Sequence, residues 1–179
     1  MMQPVNDPML RPLVQTHKTY GLITGLVIIV LSAVVYVTNL SEESWIKYLL
    51  YAVFLGGLIL NAMAFSKANE GAVTFGQVFS SGFKATAIVT ILAVAWVILS
   101  INIFPEMKDK ALEIARMQME KDGTMDPDMM EKALTMTRNN FTTFLVMGAV
   151  FGYLIMGLIF SLLAAAVAPK NKRPLTPVV

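Results

Sequence analysis

The sequence lacks cysteine, contains a single histidine and has few charged residues, which make up 15% of the 179 positions. An ordinary soluble domain has about 25% charged residues. The absence of cysteine excludes a disulfide-stapled secreted module and a cysteine-ligated zinc or iron–sulfur centre. The formal net charge of +2 is too small to indicate a nucleic-acid partner, and the hydrophobic content of 56% excludes a disordered chain. These numbers favour a membrane protein.

Four long runs contain no charged residue at all: residues 20–40, 48–65, 85–104 and 144–168. A membrane-spanning helix needs about 20 mostly apolar residues. As helices, these runs would be apolar on every face. They lack the alternation of polar and apolar residues that is typical of the strands of a membrane barrel. The sequence therefore predicts an all-α integral membrane four-helix bundle, with spans of about 20–40, 46–65, 85–104 and 144–168. They form one membrane domain, residues 20–168, between the tails 1–19 and 169–179.

The distribution of charge predicts the orientation of these spans. An even number of spans places both termini on one side of the membrane, and Lys and Arg are equally numerous on the two sides. On the side of the termini they stand mostly apart from acids, and Lys170, Lys172 and Arg173 follow the last span directly. On the other side they alternate with carboxylates that can pair with them locally. We therefore predict a multi-pass membrane protein with both termini in the cytoplasm.

The second connection, residues 66–84, contains a helix start signal. Thr74 to Gln77 matches a capping box, in which each of the two side chains bonds the other residue's backbone. Apolar residues then recur on one helical face and polar residues on the other. This pattern predicts a short amphipathic helix that lies in the membrane interface and leads into the third span. A lipid- or partner-sensing surface is the alternative. The apolar face has Phe75, Val78, Phe79 and Phe83, and the polar face has Gln77, Ser80, Ser81 and Lys84.

The pattern of residues in the third connection, 105–143, predicts a helical hairpin outside the membrane. Asp122-Gly123 is a turn signal, and Asp126-Pro127 is a strong helix start signal. We expect the second arm to continue into the fourth span. The hairpin is rich in methionine, whose flexible thioether suits packing between thin helices or against a partner. The alternative is copper(I) binding, because thioethers are soft ligands. The methionines are Met107, Met117, Met119, Met125, Met129, Met130 and Met136.

Several motifs together resemble a known family. They are Tyr-Gly-Leu-Ile-x-Gly at 20–25, Gly-x-x-Thr-Phe-Gly-Gln-x-Phe-x-x-Gly-Phe at 71–83, Ile-Phe-Pro at 103–105 and a glycine-rich fourth span. The combination is similar to the membrane family called domain of unknown function 4199, found mainly in Bacteroidota, over about residues 18–170. The resemblance implies a four-helix inner-membrane protein without an assigned activity. It supplies no catalytic residues.

The four charge-free runs contain no Asp, Glu, Lys, Arg or His, which argues against a transporter that uses an intramembrane carboxylate. Asn61, well inside the second span, is predicted to make an interhelical hydrogen bond, with a pore or substrate contact as the alternative. We predict His17 to be a solvated tail residue, and we predict no catalytic, cofactor or metal site. Small residues predict close helix packing within the chain or a seam between copies: Gly21, Gly25, Gly56, Gly57, Gly148, Gly152 and Gly157.

These observations favour a non-enzymatic accessory or scaffold protein. Its expected partners are the lipid bilayer and either a second protein or another copy, bound through the spans or the hairpin. The alternative is a small oligomeric channel or transporter in which Asn61 and Ser or Thr side chains line a path. An enzyme ranks third, because the sequence offers no nucleophile–base or metal-ligand set.

Overall fold

The computed structural model describes residues 12–38, 40, 43–123 and 126–171. In that part the chain forms α-helices and no strand, which confirms the all-α fold class. The N-terminal residues 1–11, together with Met125, Lys172 and Arg173, lie outside the described residues. The helices are α1 (His17–Val37), α2 (Ser44–Ala68), α3 (Phe75–Ile103), α4 (Glu106–Asp122), α5 (Pro127–Asn139) and α6 (Phe141–Val167).

Four of these helices, α1, α2, α3 and α6, are long and apolar enough to cross a membrane. Each of them overlaps one of the four predicted spans. A helix satisfies its backbone hydrogen bonds internally, which hydrocarbon requires of any segment that crosses it. Large apolar side chains such as Val30, Ile91 and Ile155 remain more than half exposed, so they are available for contact with lipid. The chain is therefore a helical membrane protein.

The third span begins earlier than predicted. The capping box is confirmed: the Thr74 N–H donates to Gln77 Oε1 at 2.8 Å, and the Gln77 N–H donates to Thr74 Oγ1 at 3.3 Å. From there α3 runs without a break from Phe75 to Ile103. The expected separate interfacial helix is instead the start of α3, because no proline interrupts this stretch. The predicted polar face of this stretch is only partly exposed to water, since Ser81 is buried.

The chain divides into two compact units. The first comprises residues 1–92 and 153–179, and the second comprises residues 93–152. The core of the first unit has a group of aromatic rings in edge-to-face contact. Phe54 lies 5.7 Å from Tyr153 and 5.5 Å from Phe160 between ring centroids. Such pairs add to the stabilisation gained by apolar burial.

The second unit contains the predicted hairpin, α4 and α5. Gly123 ends α4 in the left-handed conformation, and the Asp126 side chain accepts from the Asp128 N–H at 2.9 Å to begin α5. Two ion pairs join the arms in an antiparallel register. They are Asp109–Arg138 at 3.1 Å and Arg116–Glu131 at 2.6 Å.

The second arm of the hairpin is almost continuous with the last span. Helix α5 ends at Asn139 and α6 begins at Phe141. At the intervening residue, Asn140, the N–H donates to the Met136 carbonyl at 3.1 Å, and the carbonyl accepts from the Phe144 N–H at 3.0 Å. The backbone bonding therefore passes through the one-residue interruption.

Candidate functional site

Asn61 is the centre of a hydrogen-bonded polar cluster inside the first unit. Its side chain is fully buried on α2. Its Oδ1 accepts from the Thr16 hydroxyl at 2.8 Å, and its Nδ2 donates to the Ser81 hydroxyl at 3.2 Å. Thr16 precedes α1 and Ser81 lies on α3, so one amide connects three elements of the chain. This geometry matches an interhelical packing contact, which is what a buried amide in a membrane requires.

The seven glycines that were predicted to allow close helix packing differ in their surroundings. Added methyl groups would meet neighbouring helices at four positions: Gly21 would face the Ala85 carbonyl at 2.9 Å, Gly25 would face Leu92, Gly57 would face Thr24 and Gly157 would face Thr86. By contrast, a methyl group at Gly56, Gly148 or Gly152 would meet nothing within 4 Å. These three glycines therefore have no close neighbour among the described residues.

Helices α3 and α6 interlock through a pattern that the sequence analysis missed. Gly82 on α3 faces Ser161 on α6, and Gly157 on α6 faces Thr86 on α3. Each helix thus presents a glycine and, four residues later, a hydroxyl to its antiparallel neighbour. The hydroxyls of Thr86 and Ser161 are buried and have no hydrogen-bond partner in the described part of the chain. The signal was the Gly-x-x-x-Thr and Gly-x-x-x-Ser spacing, which could have been read as a small-residue motif.

A cavity of about 320 Å³ lies at the start of α1 and α3 in the first unit. Its polar lining includes His17, Thr74, Gln77, Ser80, Ser81 and Lys84. The prediction of a solvated His17 is wrong, because only 9% of this residue is exposed. The reason is that α1 begins three residues before the predicted span, so His17 is its first residue and lines the cavity. The cavity adjoins the Asn61 cluster through the shared residue Ser81.

Three chain segments meet near the start of α3. Val14 and Asn69 exchange two hydrogen bonds, in which the Val14 N–H donates to Asn69 Oδ1 at 2.8 Å and Asn69 Nδ2 donates to the Val14 carbonyl at 3.1 Å. The Asn171 N–H donates to the Gly71 carbonyl at 3.0 Å, and its amide donates to the Glu70 carbonyl at 2.6 Å. The segments before α1, between α2 and α3, and after α6 are therefore in direct contact. They are the segments that the four-span topology assigns to one side.

Comparison with known proteins identifies the family. The sequence matches the family described as "Protein of unknown function (DUF4199)" over residues 19–170, which is most of the chain. This protein is a member of the DUF4199 family. No curated protein and no solved structure matches the chain. The resemblance seen in the motifs is thus confirmed at the level of the family, whereas its distribution among Bacteroidota stays a prediction.

The hairpin of this DUF4199 protein encloses a groove of about 370 Å³ between α4 and α5. The groove is lined by the two interhelical ion pairs, whose side chains are 51–70% exposed. Within the described ranges, no group of three or more His, Cys, Asp or Glu residues is placed to hold a metal ion. Met117, Met129 and Met136 are each more than half exposed. Copper(I) binding by these thioethers is still the untested alternative to packing against a partner.

Proposed function

We propose that this DUF4199 protein is a non-enzymatic accessory or scaffold protein of the bacterial inner membrane. Both termini are cytoplasmic in this proposal, and the α4–α5 hairpin lies outside as a docking surface for a protein partner. One observation carries the proposal. Neither α4 nor α5 has a buried residue among those described.

A hairpin of this kind gains little stability from its own contacts. Helices as short as α4, with 17 residues, and α5, with 13, are marginal in isolation. Its ion pairs are exposed, and exposed pairs contribute at most about 1 kcal/mol each. The exposed methionines, which adapt to many shapes, would gain burial against a partner. This supports a surface whose contacts are completed by another protein.

Affinity purification from native membranes in mild detergent tests the proposal. The test variant is Met129→Ser/Met136→Ser on α5, and the control is Lys121→Ser, an exposed position on α4. We expect a stoichiometric protein to co-purify with the wild type and the control and to be lost from the double variant. A monodisperse particle without another protein, or a partner retained by all three, would count against the hairpin as the docking surface.

One observation favours the alternative, a small channel or transporter. The buried hydroxyls of Thr86 and Ser161 have no protein partner among the described residues, and a path that opened between α3 and α6 would expose them to a polar solute. A flux assay in liposomes separates the two functions. Solute-dependent flux that is lost in Thr86→Val and in Asn61→Leu would favour transport. Folded protein that conducts nothing would favour the accessory function.

A further inference from the structure

We propose that the cavity at the start of α1 and α3 binds a phosphate group, supplied either by the headgroup of an anionic phospholipid or by free phosphate. The cavity volume of about 320 Å³ exceeds the size of a phosphate group. Among the described residues that line it there is no Asp or Glu. Donors and positive charge therefore dominate its polar surface. This site is independent of the proposed docking function of the hairpin.

His17 is the observation that points to a ligand. About nine-tenths of the residue is buried, it lines the cavity, and its imidazole has no hydrogen-bond partner within the part of the chain that the structure describes. Neither ring nitrogen is among the fully buried unpartnered atoms of the described residues, so the imidazole can be reached from the cavity, where a ring N–H can donate to an anion. Lys84 lines the same cavity but is itself exposed. Its ammonium group supplies a full positive charge close to the histidine, and a phosphate oxygen would be a suitable acceptor for both.

The other donors come from the way in which α3 begins. Because Gln77 Oε1 accepts from the Thr74 N–H at 2.8 Å, the identity of the amide oxygen is fixed and the Gln77 Nε2 group keeps its two donors. Ser80, one turn later, adds a hydroxyl to the lining. The N-termini of α1 and α3 both lie at the cavity, and their free N–H groups and partial positive charge favour an anion.

The position of the cavity makes a lipid headgroup an available source of the phosphate. Both α1 and α3 are candidate membrane spans, and the cavity lies where both begin. The end of a span is where hydrocarbon gives way to headgroups. Basic pockets between spans are known to hold anionic headgroups. Soluble phosphate would reach the same donors through the exposed side around Lys84.

The test uses the full chain, purified in a neutral detergent and stripped of lipid. Binding is measured by native mass spectrometry and by the shift in melting temperature. The probes are dioleoylphosphatidylglycerol, dioleoylglycerol (the same chains without phosphate), inorganic phosphate, and chloride at equal ionic strength. The variants are Lys84→Gln and His17→Gln. Lys132→Gln, which removes the same charge from the exposed surface of α5, is the matched control.

We expect the wild type and Lys132→Gln to bind phosphatidylglycerol, inorganic phosphate or both, and Lys84→Gln and His17→Gln to lose affinity by about tenfold or more. Binding of the lipid alone would assign a headgroup, and binding of inorganic phosphate would assign a soluble anion. If His17→Gln does not fold, Lys84→Gln decides, because its side chain is exposed. Equal binding of phosphatidylglycerol and dioleoylglycerol with no effect of phosphate would overturn the proposal. An equal loss in Lys132→Gln would do the same.

Discussion

Gly57 lies directly against the side chain of Thr24, so closely that a methyl group added to Gly57 would overlap the threonine hydroxyl and methyl groups. The neighbouring Gly56 faces open space within 4 Å. Two adjacent glycines on α2 thus have opposite surroundings. In a membrane, where lipid is as apolar as a side chain, such close approach is a main source of helix association.

The first prediction compares these two glycines. Gly57→Ala should lower the free energy of unfolding by about 1–3 kcal/mol, because the new methyl group forces α1 and α2 apart. Gly56→Ala should change it by less than about 1 kcal/mol, in the stabilising direction, because alanine is the better helix former. Reversible unfolding in mixed detergent micelles measures both. Equal destabilisation would contradict the assigned packing of α1 on α2.

The second prediction concerns two threonines on α3. The Thr86 hydroxyl is buried and unpartnered among the described residues, whereas the Thr90 hydroxyl donates to the Thr86 carbonyl at 2.9 Å. Thr86→Val should raise the free energy of unfolding by about 1 kcal/mol, because an unsatisfied buried hydroxyl is costly. Thr90→Val should lower it by about 0.5–1 kcal/mol, because a hydrogen bond is lost. The same unfolding assay applies, and a loss at Thr86 equal to that at Thr90 would refute the assignment.

The parts of the fold that the sequence predicted are those governed by local chemistry. The four charge-free runs predicted four apolar helices, because hydrocarbon imposes the same requirement on every spanning segment. The capping box at Thr74 and Gln77, and the cap at Asp126, were also predictable, because each involves residues only two or three positions apart. Local patterns of this kind do not depend on which helices become neighbours.

The candidate site was not predictable, because it depends on tertiary contacts. The residues that neighbour His17 in the sequence give no indication that His17, Gln77 and Lys84 line the same cavity. Likewise, the sequence gives no reason why Gly57 is packed and Gly56 is not. A charge-free apolar helix has no polar face, so its pattern does not show which side meets its neighbours.

The third prediction tests the Asn61 cluster. Asn61→Leu removes the acceptor of Thr16 and the donor to Ser81, so it should lower the free energy of unfolding by about 1–3 kcal/mol. Asn102→Leu is the control, because Asn102 is exposed and, among the described residues, its amide donates only to the Ile98 carbonyl of its own helix. We expect a change below about 0.5 kcal/mol there. Comparable losses at both positions would show that the buried cluster has no special role.

The fourth prediction concerns Arg116, which pairs with Glu120 at 3.2 Å and with Glu131 at 2.6 Å. All three side chains are more than half exposed. Glu131→Gln should therefore destabilise the hairpin by no more than about 1 kcal/mol, and the effect should disappear at high salt. Hydrogen exchange of the α5 amides at low and high salt measures this. A loss that persists in molar salt would show that the pair is shielded from solvent, for example by a bound partner.

The last prediction concerns the end of α2, where two successive residues have left-handed backbones, Glu70 at φ 55° and Gly71 at φ 73°. The Gly71 N–H donates to the Ser66 carbonyl at 2.8 Å and the Glu70 N–H donates to the Lys67 carbonyl at 3.1 Å, which is a Schellman motif. Gly71→Ala should cost about 1–3 kcal/mol, because its methyl group would lie 2.7 Å from the Asn171 amide nitrogen in a strained conformation.

Glu70→Gly is the matched variant at the adjacent position. We expect it to stabilise the protein slightly, whereas Gly71→Ala destabilises it. Replacing a glutamate that holds a positive φ relieves backbone strain in the folded state, whereas the added glycine raises the entropy of the unfolded chain. The free energy of unfolding should therefore rise by between about 0 and 1 kcal/mol. Melting temperatures of the two purified variants in detergent check both signs. If Glu70→Gly were as destabilising as Gly71→Ala, the glutamate side chain would have to make a stabilising contact that outweighs its backbone strain.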